Sequence, residues 1–97
     1  MKEEIVARLR KYLERDKRGI RKELLILLLD GKKYTTKEIY ERLRERGFDI
    51  NLRGISAMVG LMNSKLGILK MEIGDKNRYF LKPEYIDLVK SILEEFG

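Results

Sequence analysis

The chain of 97 residues contains no cysteine and no histidine. Disulfides, thiolate chemistry, Cys/His zinc sites and imidazole acid-base catalysis are therefore excluded, and a cytoplasmic chain is expected. Glutamine is also absent, and 39% of the residues are charged. That balance is of the kind found in proteins that work at high temperature. The longest apolar run, Leu24 to Leu29, falls far short of the roughly 20 residues that a bilayer span takes. The opening MKEEIVARL brings two acids at once and has no secretory pattern, so neither export nor a membrane location is expected. Phosphate loops of the GxxxxGK or GxGxxG form are missing, as is any GxxG spacing. RGFDI, at 46–50, begins like an RNA-recognition strand but has Asp49 where a small residue is needed. Carboxylates are scattered among Lys and Arg, and no pair stands out on an apolar background as a catalytic pair would. No enzyme activity, cofactor, metal site or small-molecule pocket is evident from the residues.

What the chain has in excess is positive charge. The net charge is +6, and it is uneven: residues 1–33 hold eleven Lys/Arg against six Asp/Glu, 34–66 six against four, and 67–97 five against six. The basic excess therefore sits in the first two thirds, which suits a nucleic-acid partner. Its densest stretch is KRGIRK, with Lys17, Arg18, Arg21 and Lys22. Such a run is either a solvated linker or the border of a nucleic-acid backbone.

Punctuation divides the sequence into six elements. IVARLRKYL puts Ile5, Leu9, Tyr12 and Leu13 on one stripe and predicts a helix over 2–15. IRKELLILLLD is apolar on nearly every side, predicting a buried central helix from Ile20 that ends near Gly31. Thr35 stands three residues before Glu38 in a capping box that opens a helix through Arg46, stopped by Gly47. Asn51 is an N-cap for a helix running to about Leu66. ILKMEI and NRYFLK, joined by a Gly-Asp-Lys turn, read as a hairpin with Leu69, Met71 and Ile73 alternating against Lys70 and Glu72. Pro83 starts the last helix, over 83–96. The expectation is a single domain over 1–97, mainly α with a small β-hairpin.

From residue 20 onward this order resembles the winged helix-turn-helix domains of bacterial and archaeal transcription regulators. LLILLLDGKKYTTKEIYERLRERG looks like their first two helices, and ILKMEIGDKNRYFLKPE looks like the wing and the start of a trailing helix. The resemblance covers about residues 20–83, a matter of pattern more than of invariant motif. The whole chain is also similar to small archaeal winged-helix proteins with no assigned activity. The resemblance implies double-stranded DNA as partner, with helix 52–66 in the major groove and hairpin 68–82 as the wing.

One face of helix 52–66 is unusually smooth. Ile55, Met58, Val59, Met62 and Leu66 fall on one side, whereas Arg53, Ser56, Ala57, Gly60, Asn63 and Ser64 fall on the other. Small side chains there would let the backbone sit deep in a groove, with Arg53 reaching a guanine edge or phosphate and Ser56 and Asn63 hydrogen-bonding. The competing reading is close packing of another element on Ala57 and Gly60. Lys76 and Arg78 flank the wing tip, where the resemblance implies backbone or minor-groove contact, and Lys37 at the start of the capped helix would meet a phosphate. The alternative function is a winged-helix protein-interaction module without DNA binding, and RNA binding is a lesser third. Helix 83–96 carries a second apolar stripe, Tyr85, Leu88 and Ile92. Either helix 2–15 covers it within the chain, or the terminal helices build a homodimer; the homodimer is expected, since it would offer two recognition helices to half-sites one helical turn apart.

Overall fold

The computed structural model describes residues 2–16 and 18–97 as five α-helices and a three-stranded antiparallel sheet. Mainly helical architecture with a small sheet is thus what the sequence patterning foretold.

Helix α1, Lys2–Glu14, buries Ile5, Leu9 and Leu13, one stripe at four-residue spacing. Helix α2, Ile20–Leu28, is the central element: Leu24, Leu25, Leu27 and Leu28 are all buried. After it the chain turns through Gly31, whose φ of +74° is a left-handed conformation that favours glycine. Asp30 organises this turn, accepting hydrogen bonds from the Lys32 amide at 2.8 Å and from the Tyr34 hydroxyl. Strand β1, Tyr34–Thr35, follows directly, and Thr35 is also the N-cap of helix α3, Thr36–Glu45. The capping box is fully formed: the Glu38 amide donates to Thr35 Oγ1 at 3.1 Å, and the Thr35 amide donates to Glu38 Oε1 at 2.8 Å.

Helix α4, Leu52–Leu61, opens on Asn51, whose Oδ1 accepts from the Gly54 amide at 2.7 Å. Its axis continues through one wider π turn, Met62–Leu66, closed by the Gly67 amide on the Met62 carbonyl at 3.1 Å. Strands β2, Leu69–Glu72, and β3, Arg78–Leu81, form the hairpin. A single 3-10 turn, Pro83–Tyr85, then leads into helix α5, Ile86–Glu95.

Three features differ from the sequence reading. The sheet has a third strand: β1 pairs with β3, Tyr34 opposite Tyr79 and Thr35 opposite Arg78, giving the order β1-β3-β2. Two residues are too few for alternation to reveal a strand. The hairpin is shorter than its apolar pattern, and Ile73, expected to face inward, is 78% exposed because the tip runs past the core. The final helix starts three residues late, after the proline turn.

A single core gathers α1, α2, α3, α4, α5 and the sheet base, with Leu9, Leu24, Leu28, Ile39, Leu43, Ile55, Val59, Ile68, Leu81 and Val89 completely shielded. At roughly 1.5–3 kcal/mol per buried side chain of this size, it is the main stabilising term. The terminal helices pack on each other in the same chain. Arg10 grips Glu95 with two hydrogen bonds, 2.9 and 2.8 Å, and Lys22 Nζ donates to the Phe96 carbonyl at 3.2 Å, an arrangement that also suits the negative end of the α5 dipole. Ile92 is buried, and Tyr85 and Leu88 are half-buried, so the second stripe of α5 is covered largely from within. Among the described residues no helix is long and apolar enough to cross a membrane.

Candidate nucleic-acid interface

The smooth side of α4 is bare. Arg53, Ser56, Ala57, Gly60 and Ser64 are exposed and Asn63 is half-buried, whereas Ile55, Val59, Met62 and Leu66 are buried as the periodicity required. Close packing within the chain is therefore not what the small residues serve: a Cβ placed on Gly60 would meet nothing within 4 Å. Gly54 is a different case. Its Cβ would stand 3.0 Å from Ile50 Cγ1 and 3.3 Å from the capping oxygen of Asn51, so this glycine serves the helix start. Ser64 Oγ returns to the Gly60 carbonyl at 2.9 Å, which leaves the hydroxyl oxygen able to accept from outside.

At the N-terminal end of this face a cleft of about 360 Å³ is lined by Thr35, Thr36, Lys37, Ser56, Lys76 and Tyr79, with Asn77 beside them. Pairing of β1 with β3 is the cause. Because β1 runs straight into the capped start of α3, its ladder with β3 hangs the hairpin tip beside that start, and Lys76, Lys37 and Ser56 of α4 come to line one cleft. Three residues singled out from three separate segments thus share one surface. Thr36, Asn77 and Tyr79 were missed by sequence reasoning, and only recognition of β1 would have found them.

Electrostatics divides the cations into free and engaged. Arg53, Lys37, Lys76 and Arg78 form no ion pair among the described residues, whereas Arg10, Lys33, Arg44 and Arg46 are matched to Glu95, Glu72, Asp49 and Glu23. Arg78 nevertheless acts on its neighbours. Glu38 is held below the usual carboxylate range first by the Thr35 amide and further by the Arg78 charge, and Glu72 first by Lys33 and also by Arg78. The anionic Glu38 occupies the start of α3, and the Glu38 amide is already used by Thr35. Lys37 would therefore meet a phosphate through its ammonium, with less help from the helix end than its position suggested.

The basic run is split. Lys17 lies outside the described residues. Arg18 is exposed. Lys22 is committed to the end of α5. Arg21 stacks on the Tyr12 ring, its Cζ 4.3 Å from the centroid, and donates to the Tyr12 carbonyl at 2.8 Å. Arg21 also lines a larger open cleft, of about 690 Å³, at the opposite end of the α4 face, between α1 and the π turn. No pocket was evident from the residues. Arg8, Lys11 and Arg15 also line it, and they recur at three- and four-residue spacing along α1 and the turn that follows it, a stripe visible in the sequence.

Comparison with known proteins adds kinship. A family model described as "Protein of unknown function (DUF2551)" matches residues 9–89. A protein of Archaeoglobus fulgidus, described as "Uncharacterized protein", is 62% identical over 96 residues, covering 99% of each chain. No solved structure matches.

Proposed function

The chain belongs to the DUF2551 family, and we propose that it is a double-stranded DNA-binding protein, a transcription regulator of winged helix-turn-helix type. Helix α4 lies in the major groove, with Arg53, Ser56, Ala57, Gly60, Asn63 and Ser64 toward the bases. The β2–β3 hairpin is the wing, and Lys76, Arg78 and Lys37 meet backbone phosphates. One observation carries the reading: Lys37, Ser56 and Lys76, from α3, α4 and the hairpin tip, line a single cleft continuous with an exposed, small-residue helix face. A helix in a major groove needs its backbone close to base edges and cations beside it, and the small-residue face with Lys37 and Lys76 at its cleft supports that reading. A chromosomal partner places the protein in the cytoplasm.

The test is a titration of duplex fragments at two salt concentrations. Neutralising about four phosphates gives a slope of log affinity on log salt of roughly −3 to −4. No binding at low salt, or binding without salt dependence, transfers the reading to a protein-interaction module. Leu52 and Leu61, 45% and 41% exposed on α4, are the observation that favours that second reading.

A further inference from the structure

The larger cleft is lined by charge of one sign. Five cationic side chains line it, Arg8 and Lys11 from α1, Arg15 from the turn just after it, Arg21 from α2 and Lys65 from the π turn, and among the described residues no acidic side chain does. Elsewhere on the molecule several cations have acidic partners. Four ion pairs join Arg10, Lys33, Arg44 and Arg46 to acids distant in sequence or across a turn, and of the described residues of the cleft only Arg8 has an acidic partner, Glu4, one turn away on the same helix at 3.6 Å. Concentrating like charges in a concave site costs stability and focuses the field on whatever anion enters.

The cleft is also built. Arg8 Nη1 reaches the Lys65 carbonyl at 3.4 Å, tying α1 to the end of the π turn. The Arg21 guanidinium is fixed between the Tyr12 ring and the Tyr12 carbonyl, which leaves further N–H groups of its planar fork for a ligand. Tyr12 carries a buried hydroxyl with no hydrogen-bond partner among the described residues, and burial pushes its pKa up to about 12, so it stays neutral. Leu61 and Leu66 give the cleft an apolar wall, and its volume is that of a small-molecule site rather than of a single ion.

We infer that the cleft between α1 and the π turn binds a phosphorylated small molecule with an apolar or aromatic part, of nucleoside polyphosphate size. The phosphates lie among Lys11, Arg15, Arg21 and Lys65, and the apolar part lies on Leu61. Inorganic anions alone leave Leu61 in water, which is why the ligand carries more than phosphate. Ser64 belongs both to this cleft and to the bare face that continues from α4, so an occupant stands at the edge of the proposed duplex-binding surface. The inference is independent of duplex binding, because the cleft is complete within one chain.

The experiment is calorimetric titration of the full chain, without DNA, using ATP and pyrophosphate as separate probes at low salt. ATP is expected to bind about tenfold more tightly than pyrophosphate, and Leu61→Ala to erase most of that difference. Lys11→Ala with Arg15→Ala, exposed positions on α1 and in the turn after it, is expected to weaken both probes at least about tenfold while leaving the thermal midpoint in place. Absence of heat with both probes at millimolar concentration overturns the proposal, as does unchanged ATP affinity in the double variant. If the double variant instead loses duplex affinity while ATP never binds, the cleft is a seat for DNA phosphate and the small-molecule reading is overturned. Loss of duplex binding in Lys76→Ala with ATP affinity intact separates the two surfaces and supports the inference.

Discussion

Gly54 and Gly60 share one helix and serve different ends. At Gly54 a methyl group presses on Ile50 and on the Asn51 oxygen that caps α4, so Gly54→Ala is expected to cost about 1 kcal/mol, the worth of an N-cap, in thermal unfolding. At Gly60 the space is open, and Gly60→Ala should stabilise the helix by up to about 1 kcal/mol through propensity alone. Gly60→Phe should also fold, yet it places a ring where a groove floor would lie; duplex affinity is expected to fall at least about tenfold, and wild-type affinity in this variant would remove α4 from the groove. Arg53→Ala, at the first turn of the same helix, should cost about 1–3 kcal/mol on a preferred duplex and little on random sequence. Lys76→Ala should weaken all duplexes alike, a contrast that competition titrations would read directly.

At the level of elements, short-range chemistry controls where helices start and how they respond to acid. Glu38, Glu72 and Glu95 are all held below the usual carboxylate range, by the Thr35 amide, Lys33 and Arg10 respectively. A carboxyl group whose pKa is lower folded than unfolded contributes stability that is present above its unfolded pKa and lost as pH falls through the folded value. The melting temperature should therefore be level near neutrality and decline below about pH 4.5, the ordinary glutamate value. Glu38→Ala should lower the melting temperature at pH 7 and make that acid decline shallower, as scanning calorimetry at several pH values would show. The same local rules explain what could be read in advance. The Thr35–Glu38 box, the Gly47 stop and the Asn51 cap are contained in a few consecutive residues, so their helices were legible. Strand β1 was not, because its partner Tyr79 lies in a distant segment and two residues carry no period. The cleft that gathers Lys37, Ser56 and Lys76 depends on that pairing and was hidden with it. The π turn was hidden too, since Met62 and Leu66 keep the spacing of an ordinary helix. Lys22 looked like one more free cation because nothing local reveals that the end of α5 comes to it.

For the molecule as a whole, the covering of α5 by α1 bears on assembly. A homodimer through the terminal helices was expected from a surplus stripe on α5; with Ile92 buried and the Arg10–Glu95 pair bridging the two helices, that surplus is small, and the in-chain alternative gains support. Light scattering of the full chain at tens of micromolar should accordingly give a monomer, and a stable dimer there would restore the two-fold arrangement. Removing residues 1–18 should uncover Leu93, Ile92 and Val89 and produce association or unfolding. The route by which this architecture assembles follows from its sheet. Tyr34 and Tyr79 lie almost half the chain apart, and two residue pairs are all that join β1 to β3. Closing so long a loop for so few bonds yields little until the helices have already brought the ends together, so β1–β3 pairing belongs late in folding. A destabilising Tyr79→Ala change should then quicken unfolding and leave the refolding rate nearly untouched in stopped-flow measurements. In the native state the hairpin should open on its own while the helices stay closed, with its amides exchanging well before those of α2. The proposed wing would thus be the most readily detached part of the molecule, free to adjust to the curvature of its partner without disturbing the core.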